Sequence, residues 1–390
     1  MTAEGAIRGG MPDFYEFFAG GGMARTGLGP GWRCLFANDF DPKKAAAYRA
    51  NFGAKEMQAG DVRDVAPANL PGRADLAWAS FPCQDLSLAG SGAGLKGERS
   101  GTFFPFWGVM RSLAAEARAP AIVALENVCG ALSSHEGRDF EAICRTYAEA
   151  GYRAGALVVN AELFVPQSRP RLFFVGVRAD LPIPRELLAE GPVAPFHTAV
   201  LRRAVDRLPP DLGAQALWWR LPEPAPRTLS LSDLIETDPQ GVTWKSDAET
   251  AELLAMMSEV NLAKVEAAKL SGRRRVGTVY RRTRRNHNGA KAQRAEVRFD
   301  DVSGCLRTPA GGSSRQTILI VEGERARARL ISARETARLM GLPDSYRLPA
   351  GYNDAYHLTG DGVAVDVVRH LARHIFEPLL GCATPLRDAA

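Results

Sequence analysis

The chain has 390 residues, more than one hydrophobic core usually serves, so two structural units are expected. Its 46% hydrophobic and 24% charged residues match ordinary globular proteins, which excludes a disordered or fibrous chain, and no apolar run is long enough to span a membrane. The net charge is only +5, the six cysteines show neither a Cys-x-x-Cys pair nor zinc spacing, and the first residues carry no export signal, so a cytoplasmic protein with reduced thiols and no metal is expected.

Over residues 11–181 short apolar runs alternate with glycine-rich turns and helical segments, the pattern of a mostly parallel α/β sheet. Strands are expected at 14–18, 33–37, 76–80, 122–125, 157–159 and 172–177. From Pro182 the texture turns rich in proline and arginine, with one long helix expected over 247–270, so residues 182–325 read as a smaller inserted domain. Regular texture returns near Leu330, with helices expected at 332–340 and 363–375. Residues 326–380 thus read as the C-terminal completion of the first domain.

The first strand ends in Phe18-Ala19-Gly20-Gly21-Gly22, and Asp39 follows Gly20 by nineteen positions. Glycines let the backbone turn tightly and approach a ligand, and a carboxylate about 20 residues on accepts from ribose hydroxyls. The third glycine of a dinucleotide fingerprint is missing, which favours adenosylmethionine over NAD; a plain turn is the alternative. Phe40 is placed to stack on a base. Asp61, with Val62 beside it, either accepts from an adenine amino group or caps the next helix.

The third strand runs into Phe81-Pro82-Cys83-Gln84, which puts a cysteine where open α/β sheets carry ligand chemistry. A nucleophilic cysteine needs nearby cations or a helix N-terminus to favour its thiolate. The glycine-rich residues 88–99 read as a flap that closes over a substrate. Glu126-Asn127-Val128 follows the next strand, and a Glu buried there can hold a proton and hydrogen-bond a base. Further on, Gln167-Ser168-Arg169-Pro170-Arg171 presents two guanidinium groups on one face if extended.

These motifs, in this order, resemble the 5-cytosine DNA methyltransferase family of the bacterial restriction–modification type, over residues 11–180 and 329–375. The resemblance implies a Rossmann-like, mostly parallel sheet with helices on both faces and an inserted target-recognition domain. It implies methyl transfer from S-adenosylmethionine to C5 of a cytosine flipped out of duplex DNA, by way of a covalent Cys83 adduct. Cys83, Glu126, Arg169 and Arg171 become the catalytic residues. Phe18, Gly20, Gly22, Asp39, Phe40 and Pro82 become cofactor contacts, with Asp61, Val62, Asp361 and Val363, while Gln84 and Ser87 meet DNA. Three departures stand out. Asp39 replaces the family's more usual Glu, Asp361 replaces the Asn of a Gly-Asn-x-Val motif, and Asp366 stands where a proline is usual. An ionised Asp361 accepts hydrogen bonds but cannot donate them. A cognate restriction endonuclease and a monomeric state are implied as well. Two other readings stay open: a DNA-binding module with a decayed site, and an RNA cytosine methyltransferase, against which the size of the insertion speaks.

Residues 273–298 hold nine Arg, one Lys and one Glu, a net +9 that leaves −4 for the rest of the chain. Arg273, Arg274, Arg275, Arg281, Arg282, Arg284 and Arg285 are candidates for phosphate contact or guanine readout. Arg315, after the glycine-rich residues 308–314, is a candidate for entering a groove; a solvated basic loop and a plain hairpin are the alternatives. Duplex binding should weaken with salt by about 0.9 in log affinity per log salt for each phosphate neutralised, read from a salt titration. A salt-independent affinity would remove the arginines from the interface.

Overall fold

The structure, a computed structural model, describes residues 10–82, 100–285, 289–307 and 315–381, without the side chains of residues 100, 284 and 285. Two compact units are present. One runs to Val159, resumes over Pro170–Pro224 and returns from Val363; the other comprises Asn160–Arg169 and Ala225–Gly362.

Seven strands build the sheet of the first unit: β1 (Asp13–Phe17), β2 (Arg33–Asp39), β3 (Met57–Ala59), β4 (Leu76–Ala79), β5 (Ile122–Val128), β6 (Tyr152–Asn160) and β7 (Pro170–Arg178). Their spatial order is β3-β2-β1-β4-β5-β7-β6. Strands β1 to β5 pair in parallel, and β7 runs antiparallel to β5. All six expected strands lie within this sheet. β3, only three residues long, is too short for apolar periodicity to mark.

Side chains alternate across the pleat. Tyr15, Phe17, Ala77, Ala79, Val123 and Leu125 face the helices Phe103–Ala115 and Arg138–Glu149, which contribute Phe106, Trp107, Leu113, Ile143 and Tyr147 to the same core. On the opposite face Phe14 meets Trp32 and Trp78 meets Phe376, both edge-on. Strands covered on both faces need apolar residues at every position, which is why they read as continuous runs.

The units part at Pro224 and Gly362 rather than at residues 182 and 325. Residues 182–224 stay with the first sheet because they hydrogen-bond to its last two strands, β7 and β6. Leu217 N donates to Ala154 O at 2.9 Å, Val158 N to Phe196 O at 2.9 Å and Trp219 Nε1 to Val175 O at 3.2 Å. Of the C-terminal completion, only the part from Val363 belongs to the first unit. Its helix Val365–Leu371 continues through a π turn at Ala372–Phe376 into Glu377–Leu379.

In the second unit β8 (Arg275–Arg285), β9 (Lys291–Arg298), β10 (Thr317–Glu322) and β11 (Arg325–Leu330) form an antiparallel sheet in the order β11-β10-β8-β9. The arginine-rich run is therefore largely two paired strands, β8 and β9. The single helix expected over 247–270 is two, Asp247–Ala255 and Glu259–Leu270. It breaks because Met256 O accepts from Ala295 N at 3.0 Å, while Ser258 adopts an extended N-cap backbone with ψ 161°. Leu253, Met257, Val265 and Ala268 then pack on Val279, Ala295, Val297 and Leu319.

Helix Ala333–Arg338 starts at Ser332, whose hydroxyl accepts from Glu335 N at 3.1 Å. Glu335 in turn makes a bidentate pair with Arg329 at 2.6 and 2.8 Å, both side chains fully buried. Its carboxylate also accepts from Ser332 N and Glu236 N, both at 2.7 Å, and the Arg329 guanidinium lies 5.0 Å from the Trp244 ring centroid. Removing one partner of such a pair strands the other charge in an apolar interior. Arg329→Met should therefore lower stability by about 3–5 kcal/mol in urea unfolding; a loss below about 1 kcal/mol would show that the pair holds little of this unit together.

Candidate functional site

Strand order reverses between β1 and β4, with β2 and β3 beyond β1 and β5 beyond β4. Loops leaving the C-terminal ends of β1 and β4 therefore lead to opposite sides of the sheet, the position at which open α/β sheets bind ligands. Phe18 to Gly22 leaves β1, and Ser80-Phe81-Pro82 leaves β4.

The β1 loop turns through left-handed backbone at Phe18 (φ 55°), Gly20 (φ 54°) and Gly22 (φ 79°). A bulky residue such as Phe18 is strained there, as is common where a backbone shape serves a ligand. A Cβ on Gly22 would stand 2.4 Å from the Phe52 ring, so only glycine can begin the helix Met23–Leu28 at this point. Strand β2 holds the loop from the side. Ala19 N donates to Asn38 O at 2.9 Å, Gly20 N to Asp39 Oδ2 at 2.7 Å and Asp41 N to Asp39 Oδ1 at 2.8 Å. Burial pushes the Asp39 carboxyl up, with Lys44 and these amides opposing. Phe40 beside it is 73% exposed. Asp61 accepts from Arg63 N at 2.9 Å and from Arg63 Nη1 at 3.3 Å, which caps the turn Val62–Asp64 without excluding a further acceptor role, and Val62 is buried.

Asn127 Nδ2 donates to Phe81 O at 3.1 Å, which ties the end of β5 to the loop leading through Pro82. Cys83, Gln84, Ser87 and the glycine-rich residues 88–99 lie outside the described residues. Glu126 is 6% exposed, and its Oε1 lies 3.2 Å from Arg171 Nε. Register creates this pair. β7 sets Arg171 opposite Val128 and Phe173 opposite Glu126, which makes Glu126 and Arg171 diagonal neighbours on one face.

Arg169, expected beside Arg171, belongs to the other unit. Its buried guanidinium donates to the carbonyls of Leu306 (2.9 Å), Gly360 (2.8 Å) and Gly362 (2.6 Å) and to Cys305 Sγ (3.3 Å). It braces backbone, a role its place in the motif did not disclose. Asp361 is exposed at the end of helix Tyr352–Asp361, and Val363 is buried in the first unit. Burial pushes the thiols of Cys34 and Cys144 up to about 12. It also raises Cys129, with Arg171 opposing and Glu126 adding. These three are held as thiols.

On β8 and just before it, Arg273, Arg274, Arg281 and Arg282 are exposed, while Arg275 is half-buried and donates to Phe299 O at 3.1 Å. Arg282 stands opposite Arg294 in register, 5.5 Å from the Tyr280 ring centroid and 3.2 Å from Glu296. Arg284 and Arg285 lie further along β8, their side chains outside the described ones, as are residues 308–314. Arg315 donates to Asn353 Oδ1 at 2.6 Å and lies over Tyr352.

A family model for C-5 cytosine-specific DNA methylases matches residues 13–377. The chain belongs to this family. The methylase is 25% identical to the type II methyltransferase M.HhaI of Haemophilus parahaemolyticus over 93% of each chain. It is 26% identical to M.HpaII of Haemophilus parainfluenzae, over 94% of this chain and 89% of that one. Among solved structures, the Entamoeba histolytica methyltransferase EhMeth matches at TM-score 0.61 and 13% identity, covering 95% of this chain and 99% of that one. S. pombe Dnmt2 matches at TM-score 0.55 and 16% identity, covering 94% and 99%; both are likenesses of fold. The resemblance carried by the motifs is thus correct: this is a DNA cytosine methyltransferase. Among the described residues no His, Cys, Asp and Glu group could hold a metal ion, and no helix is long and apolar enough to cross a membrane.

The methylase has one residue at this site that the motifs did not single out. Glu16, on β1 two positions before Phe18, is 1% exposed. Its Oε1 accepts from Arg25 N at 3.3 Å, and Oε2 has no hydrogen-bond partner among the described residues. An acid inside an otherwise apolar strand was the available signal. Burial pushes the Glu16 carboxyl from its usual 4.5 to about 8, with Arg25 opposing and Asp39 adding. Because the folded pKa lies above the unfolded one, its contribution to stability is fully present below pH 4.5 and is lost as pH rises to about 8. The urea midpoint of Glu16→Gln relative to wild type should therefore rise steadily between these two pH values and then level off. A difference that stays flat with pH would mean that Glu16 titrates as an ordinary carboxyl.

Proposed function

We propose that this methylase transfers a methyl group from S-adenosylmethionine to C5 of a cytosine flipped out of duplex DNA, through a covalent adduct with Cys83. The observation that carries it is the meeting, at the strand-order reversal, of the β1 glycine loop and the Pro82 loop, with the Glu126–Arg171 pair on the next strands. The residues present fit adenosylmethionine. Left-handed turns at Gly20 and Gly22 let backbone amides approach a ligand, and Phe40 offers an exposed ring for the adenine. Asp39 accepts one hydrogen bond per oxygen, from Gly20 N of the loop and from Asp41 N, and keeps lone pairs for the ribose. Pro82 and Val62 supply apolar walls, Val363 another, and Asp61 supplies an acceptor. When bound, the cofactor supplies an electrophilic methyl group.

The chain's own residues do the rest. The Cys83 thiolate adds to C6, which makes C5 electron-rich. Glu126 holds the N3 and amino edge of the base, and Arg171 keeps that carboxyl oriented. After C5 takes the methyl group, its proton leaves to a base, the sulfur–C6 bond breaks and the thiolate is restored. Arg169 acts at a distance, by holding Gly360 and Gly362. The exposed arginines of β8 supply phosphate contacts, which help offset the few kcal/mol needed to extrude the base. The type II names of the relatives support a cognate restriction endonuclease, and we read the enzyme as a cytoplasmic monomer.

Cys83→Ala should bind duplex DNA as wild type does and lose tritium-methyl transfer by more than about a thousandfold. A duplex carrying 5-fluorocytosine should leave wild-type protein linked to DNA through residue 83, because the adduct has no C5 proton to lose. Wild-type transfer by the alanine variant would overturn the assignment.

A further inference from the structure

The β1 glycine loop sits on a helix, Met23–Leu28, of only six residues. A helix that short has little stability of its own and takes its position from what it touches. At its N-terminal end the contact is Glu16, which accepts from Arg25 N. At its C-terminal end the contact comes from helix Val365–Leu371 of the same unit, 341 residues further along the chain. Arg369 Nη1 donates to Leu28 O at 2.9 Å and Nη2 to Thr26 O at 3.3 Å. These are carbonyls that a helix end leaves without intrahelical partners, and a cation there is also favoured by the helix dipole.

Two glycines make room for this contact. Gly29 ends the helix in left-handed backbone (φ 77°), and a Cβ on it would fall 2.1 Å from Arg369 Nη2. A Cβ on Gly27 would fall 2.5 Å from Val368 Cβ and 2.7 Å from Val365 O, so the two helices touch nearly backbone to backbone. Burial depresses the Arg369 pKa, with Glu377 opposing, yet a guanidinium keeps its proton across the working range.

We infer that Arg369 is the positioning residue for the adenosylmethionine loop: it caps the helix behind Gly20–Gly22 and so sets where the loop's amides point. This rests on the reading of that loop as the cofactor site. Arg369 does not touch the cofactor itself. A lysine ammonium is a point donor in place of a planar fork, so Arg369→Lys keeps the charge without both bonds.

The test is calorimetric binding of S-adenosylhomocysteine to full-length wild type, Arg369→Lys and Arg369→Met, with steady-state methylation and thermal midpoints alongside. Arg369→Met should weaken S-adenosylhomocysteine binding and raise KM for adenosylmethionine by about tenfold, which is about 1.4 kcal/mol. Its kcat at saturating cofactor should change less than about twofold, and Arg369→Lys should fall between Met and wild type. A lowered midpoint with unchanged binding and KM would make Arg369 a purely structural residue and overturn the inference. If the Met variant does not fold, the Lys variant decides by the same two readouts. Failure of wild type itself to bind S-adenosylhomocysteine would overturn the cofactor reading, a result distinct from equal binding by wild type and variants.

Discussion

In a parallel sheet every strand ends at the same rim, and a chain that winds outward from the middle in both directions must leave a gap between the two strands where it reverses. Here those strands are β1 and β4. Their loops carry the glycines and Pro82, so backbone connectivity, before any side chain acts, brings two distant motifs to one place. The antiparallel entry of β7 beside β5 adds a guanidinium to the same rim, because register sets Arg171 diagonally across from Glu126.

Buried charge is handled in three ways in this protein. Arg329 and Glu335 meet inside the second unit with their hydrogen bonds largely met by each other, by backbone and by Trp244. Arg169 gives its donors to carbonyls and so converts a charge into a fastening for irregular backbone at residues 306, 360 and 362. Glu16 has no cationic partner within ion-pairing distance among the described residues and accommodates burial by holding its proton instead. The first two rigidify, since an arginine stays charged and must stay bonded. The third leaves a titrating group beneath the loop proposed to bind the cofactor.

Motif residues divide accordingly between those proposed to meet ligand and those that hold the backbone in place. Asp39, proposed to meet the ribose, also accepts from Gly20 N of the glycine loop with one oxygen and from Asp41 N with the other. Asn127 and Arg169, members of the strongest motifs, spend side-chain hydrogen bonds on backbone oxygens. A motif in such a protein records the geometry of a site as much as its chemistry.

The strands of the first sheet, the glycine loop and the family were legible from residues alone, because strands buried on both faces must be apolar throughout and a tight turn beside a ligand needs glycine. The helix beginning at Ser332 was legible for a similar, local reason. Local pattern could not reveal that residues 247–270 break at Met256, since a strand far along the chain takes that carbonyl. Nor could it separate Arg169 from Arg171, two positions apart and in different units, or join Arg369 to Leu28 across most of the chain. Sequence determines what lies within a few residues of itself, where backbone preference and burial period act. Which carbonyl a guanidinium reaches is decided only when separate elements pack and their unpaired backbone groups must find partners.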